Sequence, residues 1–171
     1  MRIYVDADGF PGALKGLLTR AAIRLQVPLV FVANKKLKHE SSVVISSIIV
    51  PEGPDIADDR IVLLAQPGDL VITADIPLAD RVVDKGAFAL DYRGKLYTED
   101  NIKDRLALRD LLDELRDGGM MTGGPSMFGK KDCHAFVNQL DSFLIRQLKI
   151  EQNRPDFPSP GLLLDKAREK K

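Results

Sequence analysis

The stretch Arg2-Ile3-Tyr4-Val5-Asp6-Ala7-Asp8-Gly9-Phe10-Pro11 runs a short apolar strand, residues 2–5, straight into two aspartates and a glycine. Pro11 then sits where a first-turn helical proline belongs. Leu14, Leu17, Leu18, Ala21, Ala22 and Leu25 follow at the spacing of an amphipathic helix. Pro28 ends that helix, and Leu29-Val30-Phe31-Val32-Ala33 is an unbroken apolar run of the kind found in strands covered on both faces. Strand, helix, buried strand opens an α/β chain with a mostly parallel sheet.

The same alternation continues. A third strand over 43–50 is closed by Pro51, and Asp55 is placed to cap a helix reaching about residue 65, with Ile56, Ile61, Leu64 and Ala65 inward. Pro67-Gly68 is a turn, 70–73 is another buried strand, and a helix over 76–85 stops at Gly86. Residues 87–90 form a fifth strand, followed by a turn centred on Arg93-Gly94. Thr98 is expected to cap a long helix to Arg116, with Ile102, Leu106, Leu111, Leu112 and Leu115 as its apolar stripe. A last main helix covers about 131–149. The expected architecture is a three-layer α/β sandwich around a mostly parallel sheet of about five strands. One domain spans 1–150. Pro155, Pro158, Pro160 and a charged end make 151–171 read as a flexible or loosely docked tail.

Composition narrows the classes. The 171 residues carry 25 Lys+Arg against 25 Asp+Glu, a neutral balance that argues against coating nucleic acid by bulk charge but leaves room for a local basic groove. With 44% hydrophobic and 29% charged residues the chain is ordinary globular material. Its single cysteine excludes an internal disulfide and a multi-cysteine zinc cluster. The apolar runs are too short to span a bilayer, and Asp6 interrupts any signal-peptide core, so a cytoplasmic protein without membrane contact is expected. Neither a Gly-x-Gly-x-x-Gly nor a Walker lysine loop occurs. Oligomeric state is not legible.

In a parallel α/β sheet, ligands bind beyond the carboxyl ends of the strands, at the switch in strand order. What the chain delivers there is carboxylates. The first strand presents Asp6 and Asp8 and the 70–73 strand presents Asp75, while Asp55 and Asp58 open the helix after strand three. Acids converging on one cleft repel one another unless a divalent cation neutralises them, and hard oxygen donors suit Mg²⁺ or Mn²⁺ rather than zinc. A metal so held can activate water and steady a phosphoryl group during in-line hydrolysis. Against this stands the plain reading in which the aspartates are caps and turn residues, positions aspartate favours anyway.

Asp6-Ala7-Asp8-Gly9, Gly53-Pro54-Asp55-Ile56-Ala57-Asp58, Gly68 through Ala79 with its Thr73-Ala74-Asp75 core, and Thr122-Gly123-Gly124-Pro125, in that order, resemble the bacterial YaiI/YqxD family over about residues 1–149. That family is largely uncharacterised and has a PIN-like (NYN-like) domain. The resemblance implies a fold shared with nucleases that cut RNA through carboxylate-held metal ions. By it, Asp6, Asp55, Asp58 and Asp75 are candidate catalytic acids, and Asp6, Asp8, Asp55 and Asp75 candidate ligands for Mg or Mn. RNA or another single-stranded nucleic acid is the implied partner. Thr73, Arg93, Thr122, Gly123, Gly124 and Lys131 are candidate contacts for substrate phosphate, the glycines through backbone N–H groups.

Two other readings are open. One is a non-catalytic PIN-like module that binds RNA or protein. The other is a haloacid-dehalogenase-like phosphatase, which Asp6-Ala7-Asp8 and Gly68-Asp69 imitate. In the second case Asp69 would have to follow its strand, whereas the sequence puts it before, at the opposite edge of the sheet from Asp75.

Overall fold

The elements, in a computed structural model describing residues 1–36, 38, 42–120, 123–124 and 126–153, are β1 (Ile3–Asp6), α1 (Gly12–Leu25), β2 (Leu29–Ala33), β3 (Ile45–Ile49), α2 (Ile56–Leu64), β4 (Leu70–Ile72), α3 (Ile76–Val83), β5 (Phe88–Leu90), β6 (Leu96–Tyr97), α4 (Ile102–Asp117) and α5 (Lys130–Gln152). The strands lie in the order β3-β2-β1-β4-β5-β6. All neighbouring pairs are parallel except β5 with β6. The chain builds outward from β1 to β3, crosses back, and builds the other way from β4. The switch in strand order therefore falls between β1 and β4.

Alternation along the strands sorts the apolar side chains into two cores. Ile3, Val5, Leu29, Phe31, Leu70, Ile72 and Leu90 pack with Leu14 and Leu18 of α1 and with Phe136, Leu140, Phe143 and Leu144 of α5. On the other face Tyr4, Val32, Val71 and Ala89 pack with Ile61 of α2, with Leu78, Ala79, Val82 and Val83 of α3, and with Ile102 of α4. The result is a three-layer α/β sandwich with helices on both faces. Each large side chain fully buried in these layers contributes about 1.5–3 kcal/mol.

The structure corrects several expectations. The sheet has six strands rather than about five, because residues after the Arg93-Gly94 turn return as the two-residue antiparallel β6. The long helix opens at Ile102 rather than at Thr98. There the Thr98 carbonyl, not its hydroxyl, accepts from the N–H groups of Asn101 (3.1 Å) and Ile102 (3.0 Å), forming a separate turn. The apolar stripe of that helix is buried only at Ile102; Leu106, Leu112 and Leu115 are half-buried and Leu111 is exposed. Pro11 stands at the N-cap of α1, one residue before the helix. Residues 154–171 lie outside the described residues, and with them most of the expected tail. Glu151, however, is still helical and accepts from the Met1 ammonium at 2.7 Å.

Candidate functional site

Register brings the first acids together. Val5 of β1 is paired with Ile72 of β4, so the next residues, Asp6 and Thr73, stand level at the carboxyl ends of adjacent strands. Both follow the phase of Tyr4 and Val71, which points them toward the α2–α3 layer. Thr73 is fully buried. Its hydroxyl donates to Asp6 Oδ2 at 3.0 Å and accepts from the Asp75 N–H at 3.0 Å, tying one acid's side chain to the next acid's backbone. The buried Tyr92 lies just beyond β5, and its hydroxyl donates to the Asp6 carbonyl at 3.1 Å.

Asp75 is the N-cap of α3 and accepts from the Leu78 N–H at 2.8 Å, with Pro77 in the first turn. One of its oxygens is thereby engaged. Asp58 lies in the first turn of α2 and is half-buried. Asp55 occupies the N-cap position of α2 but forms no side-chain cap. Its backbone sits in the left-handed region at φ 57, a conformation aspartate tolerates better than most residues, and its carboxylate is exposed. The expected capping role of Asp55 is therefore not realised. Asp8, also exposed, accepts from the Asn34 N–H at 3.1 Å and so links the loop after β1 to the end of β2.

The electrostatics show that these acids share one region. Burial, first, and then the charges of Asp6, Asp75 and Asp55 push the Asp58 carboxyl up to about 6, with only Arg81 opposing. The Asp6 carboxyl is raised chiefly by burial, with smaller contributions from Asp8 and Asp75. The Thr73 hydroxyl and the Asp8 N–H pull it back. Tyr92 is held above its ordinary value by burial and by the Asp6, Asp75 and Asp58 charges. None of Asp6, Asp8, Asp55, Asp58 or Asp75 forms an ion pair among the described residues. By contrast Asp59, Asp80, Asp84, Asp110, Asp113, Asp132 and Asp141 all do. The positive ends of α2 and α3 offer only partial compensation.

Among the described residues no three His, Cys, Asp or Glu side chains stand close enough to hold one ion between them. The donor set consists of hard oxygens and fits the way Mg²⁺ binds, through one or two carboxylates with water and substrate phosphate completing the shell. It does not fit an all-protein cage.

Other candidates are placed elsewhere. The Arg93 guanidinium donates to Asp132 at 3.0 Å and to Ser126, anchoring the β5–β6 turn to the start of α5. Lys131 is exposed in the first turn of α5, Gly123 and Gly124 are exposed, and Thr122 lies outside the described residues. Asp69 is buried at the opposite edge of the sheet, where it accepts from the Arg2 (2.8 Å) and Gln66 (3.0 Å) N–H groups. A cavity of about 550 Å³ at that same opposite edge, walled by Phe88, Leu96, Thr98 and Arg146, contains none of the five acids. Sequence reasoning missed Tyr92, whose spacing carries no signal.

Asp58 supplies a measurable consequence. A carboxyl raised in the folded state binds more protons there than in the unfolded chain, so stability falls as pH rises from about 4 to about 6. Asp58→Asn should flatten this slope and stabilise the metal-free protein at pH 7.5. For a fully buried group the effect would be about 3 kcal/mol; solvent screening of the half-exposed side chain reduces it to about 1 kcal/mol. Urea melts at pH 4.5 and 7.5 check this, and an unchanged slope would mean that Asp58 does not feel its neighbours.

Comparison with known proteins places the chain. The sequence profile described as "Uncharacterized BCR, YaiI/YqxD family" matches residues 4–146. A "UPF0178 protein" of Maridesulfovibrio salexigens is 53% identical over 86% of this chain and 98% of its own length. Its counterpart in Sulfurovum sp. is 51% identical over 85% of this chain and 99% of its own length. The "UPF0178 protein BAV3236" of Bordetella avium is 52% identical over 91% of this chain and its full length (100%). No solved structure matches the chain. With most of its length matched by the profile and about half of the aligned residues identical in such relatives, the chain belongs to the YaiI/YqxD family.

Proposed function

We propose that this protein is a metal-dependent phosphodiesterase that cuts RNA or another single-stranded nucleic acid at the β1–β4 switch point. The observation that carries this reading is the set of unpaired aspartates (Asp6, Asp8, Asp55, Asp58 and Asp75) at the one sheet edge where such folds bind ligands. Among the described residues, seven of the twelve other aspartates have a cationic partner. A group of acids left unneutralised beside two helix N-termini is a site awaiting positive charge. The resemblance to PIN-like nucleases points the same way.

In this reading Asp6 and Asp75 are the principal ligands for Mg²⁺ or Mn²⁺, with Asp8 and Asp55 at the rim. The ion would supply water activation and charge stabilisation at the scissile phosphate. Thr73 holds the Asp6 carboxylate in place through the 3.0 Å hydrogen bond, and Asp58 stands beside the cluster as a proton acceptor. Tyr92, packed against Phe10 on the α1–α5 face, fixes the Asp6 backbone through its hydroxyl. The phosphatase reading loses support from Asp69, which is locked into a backbone clamp at the far edge.

A second reading has its own support. Asp75 caps α3 and no three acids converge tightly among the described residues, as a non-catalytic RNA- or protein-binding module would allow. Titration separates the two. Mn²⁺ should raise the melting temperature saturably by preferential binding to the folded state. Mn²⁺ should also support cleavage of a single-stranded RNA, and Asp6→Asn should abolish both effects. No thermal shift at millimolar Mn²⁺ would remove the phosphodiesterase reading and leave the binding module.

A further inference from the structure

The row of residues level with Asp6 does not stop at Thr73. Ile72 of β4 is paired with Leu90 of β5, so Asp91 stands level with Thr73, and the Asp91 N–H donates to the Lys95 carbonyl at 2.9 Å across the β5–β6 turn. Asp6, Thr73, Asp91 and Lys95 thus form one line along the same sheet edge. Thr73 and Lys95 are two strand spacings apart, roughly 10 Å. Tyr97, two residues after Lys95, belongs to the core on the α2–α3–α4 face, so Lys95 points to the face that carries the acids.

The far end of this line carries two cations against the single Asp91 carboxylate. The Lys95 ammonium lies 5.8 Å from the Tyr97 ring centroid and has no ion pair among the described residues. The Arg105 Nε, on the first turns of α4, is buried without a hydrogen-bond partner. The neighbouring carboxylate cannot serve both. Asp91 accepts from the N–H groups of Arg93 and Lys95, each at 2.8 Å, and from the Tyr97 hydroxyl at 3.2 Å. Arg105 is near enough to lower the Lys95 pKa, after burial. The start of α4 is held against β6, with the Asn101 side-chain amide donating to the Leu96 carbonyl at 3.1 Å and Ile102 sharing a core with Tyr97. Two cations and a desolvated, unused donor are thus gathered at this end of the line, where an added anion would be stabilised. One turn further along α4, Arg109 is already engaged by Asp110 at 2.9 Å and Asp113 at 3.3 Å.

We infer that Lys95 and Arg105 form a subsite for a phosphate group of a single-stranded polynucleotide whose neighbouring backbone lies on the Asp6–Asp75 cluster. This rests on the phosphodiesterase reading for the substrate class. The residues themselves require only a phosphate, which inorganic phosphate could also supply. Electrostatic backbone contact of this kind confers affinity and register without sequence preference.

The test is binding of a fluorescent single-stranded RNA decamer, followed by anisotropy in EDTA from 50 to 300 mM salt. The Lys95→Gln/Arg105→Gln protein should bind roughly tenfold or more weakly at 100 mM salt, its log–log salt slope shallower by about 0.7, the loss of one neutralised phosphate. Asp6→Asn should bind at least as tightly as the unaltered protein. The melting temperature of Arg105→Gln should be unchanged or higher, since its buried Nε has no hydrogen bond to lose; a fall would assign Arg105 a structural role and overturn the proposal. Equal affinity and slope for the double variant would also overturn it. RNA that binds no better than inorganic phosphate competes would replace the polynucleotide with the free ion. Because the assay contains no divalent ion and reads no turnover, its outcome is independent of the Mn²⁺ result that decides the phosphodiesterase reading.

Discussion

Gly94→Ala should lower the stability of this protein by about 2–4 kcal/mol, a drop of roughly 10 °C in melting temperature for a chain of this size. Gly94 turns the chain between β5 and β6 at φ +83, which by itself costs an alanine about 1–2 kcal/mol. The larger part is steric. A Cβ there would lie 2.5 Å from the Ala135 carbonyl carbon and oxygen and 2.8 Å from the Phe136 nitrogen. These are backbone atoms in the second turn of α5, which cannot swing aside as a side-chain tip can. Gly119→Ala is the internal control: it has the same φ of +83 with open space around it, so it should show the conformational part alone. If calorimetry finds the two variants equally destabilised, the close approach of the turn to α5 is absent.

That approach also shows where the sequence was readable and where it was not. Period-2 alternation and unbroken apolar runs are strong signals when a strand is buried on both faces. The expected run 29–33 accordingly coincides with β2, and the two aspartates flanking the switch point could be placed from their strands alone. β6 is only two residues long, too short for any period, and exists because Gly94 lets the turn close against α5. The start of α4 was misplaced because a threonine hydroxyl and a threonine carbonyl carry the same letter in the sequence, and here the carbonyl does the bonding. The α4 stripe of leucines promised burial, but only Ile102 reaches the core, since α4 lies on α3 near the sheet's edge rather than over its centre. The candidate acids were legible from the strand ends and helix starts that carry them. Their coupling was not, because the electrostatic influence of Asp6 and Asp75 on Asp58 depends on how α2 packs over β1. Asp55 shows the limit most plainly: a cap by position, its side chain nonetheless left free by a left-handed backbone.

Thr73→Val is the substitution expected to disturb the site most without adding or removing charge. Valine has the shape of threonine, so the fully buried position stays filled, but Asp6 Oδ2 loses its donor and the Asp75 N–H loses its acceptor. Leaving two such groups unsatisfied should cost about 2–4 kcal/mol. The loss must depend on pH, and its sign is fixed. The Thr73 hydroxyl favours the charged form of Asp6, whose carboxyl is already raised by burial; without that hydrogen bond it rises further. A raised carboxyl contributes full stability below its unfolded value and loses it as pH climbs through the folded value. The variant should therefore lie closer to the unaltered protein at pH 4 than at pH 7.5, when both are compared by urea melts. Thr73→Ser, which keeps the hydroxyl, should restore most of the difference at neutral pH. In the phosphodiesterase reading Thr73→Val should also blunt the Mn²⁺-dependent rise in melting temperature, since Asp6 is then free to turn away or hold a proton. Equal destabilisation at both pH values, or a serine variant as damaged as the valine one, would mean that Thr73 only fills space and that Asp6 is positioned by something else.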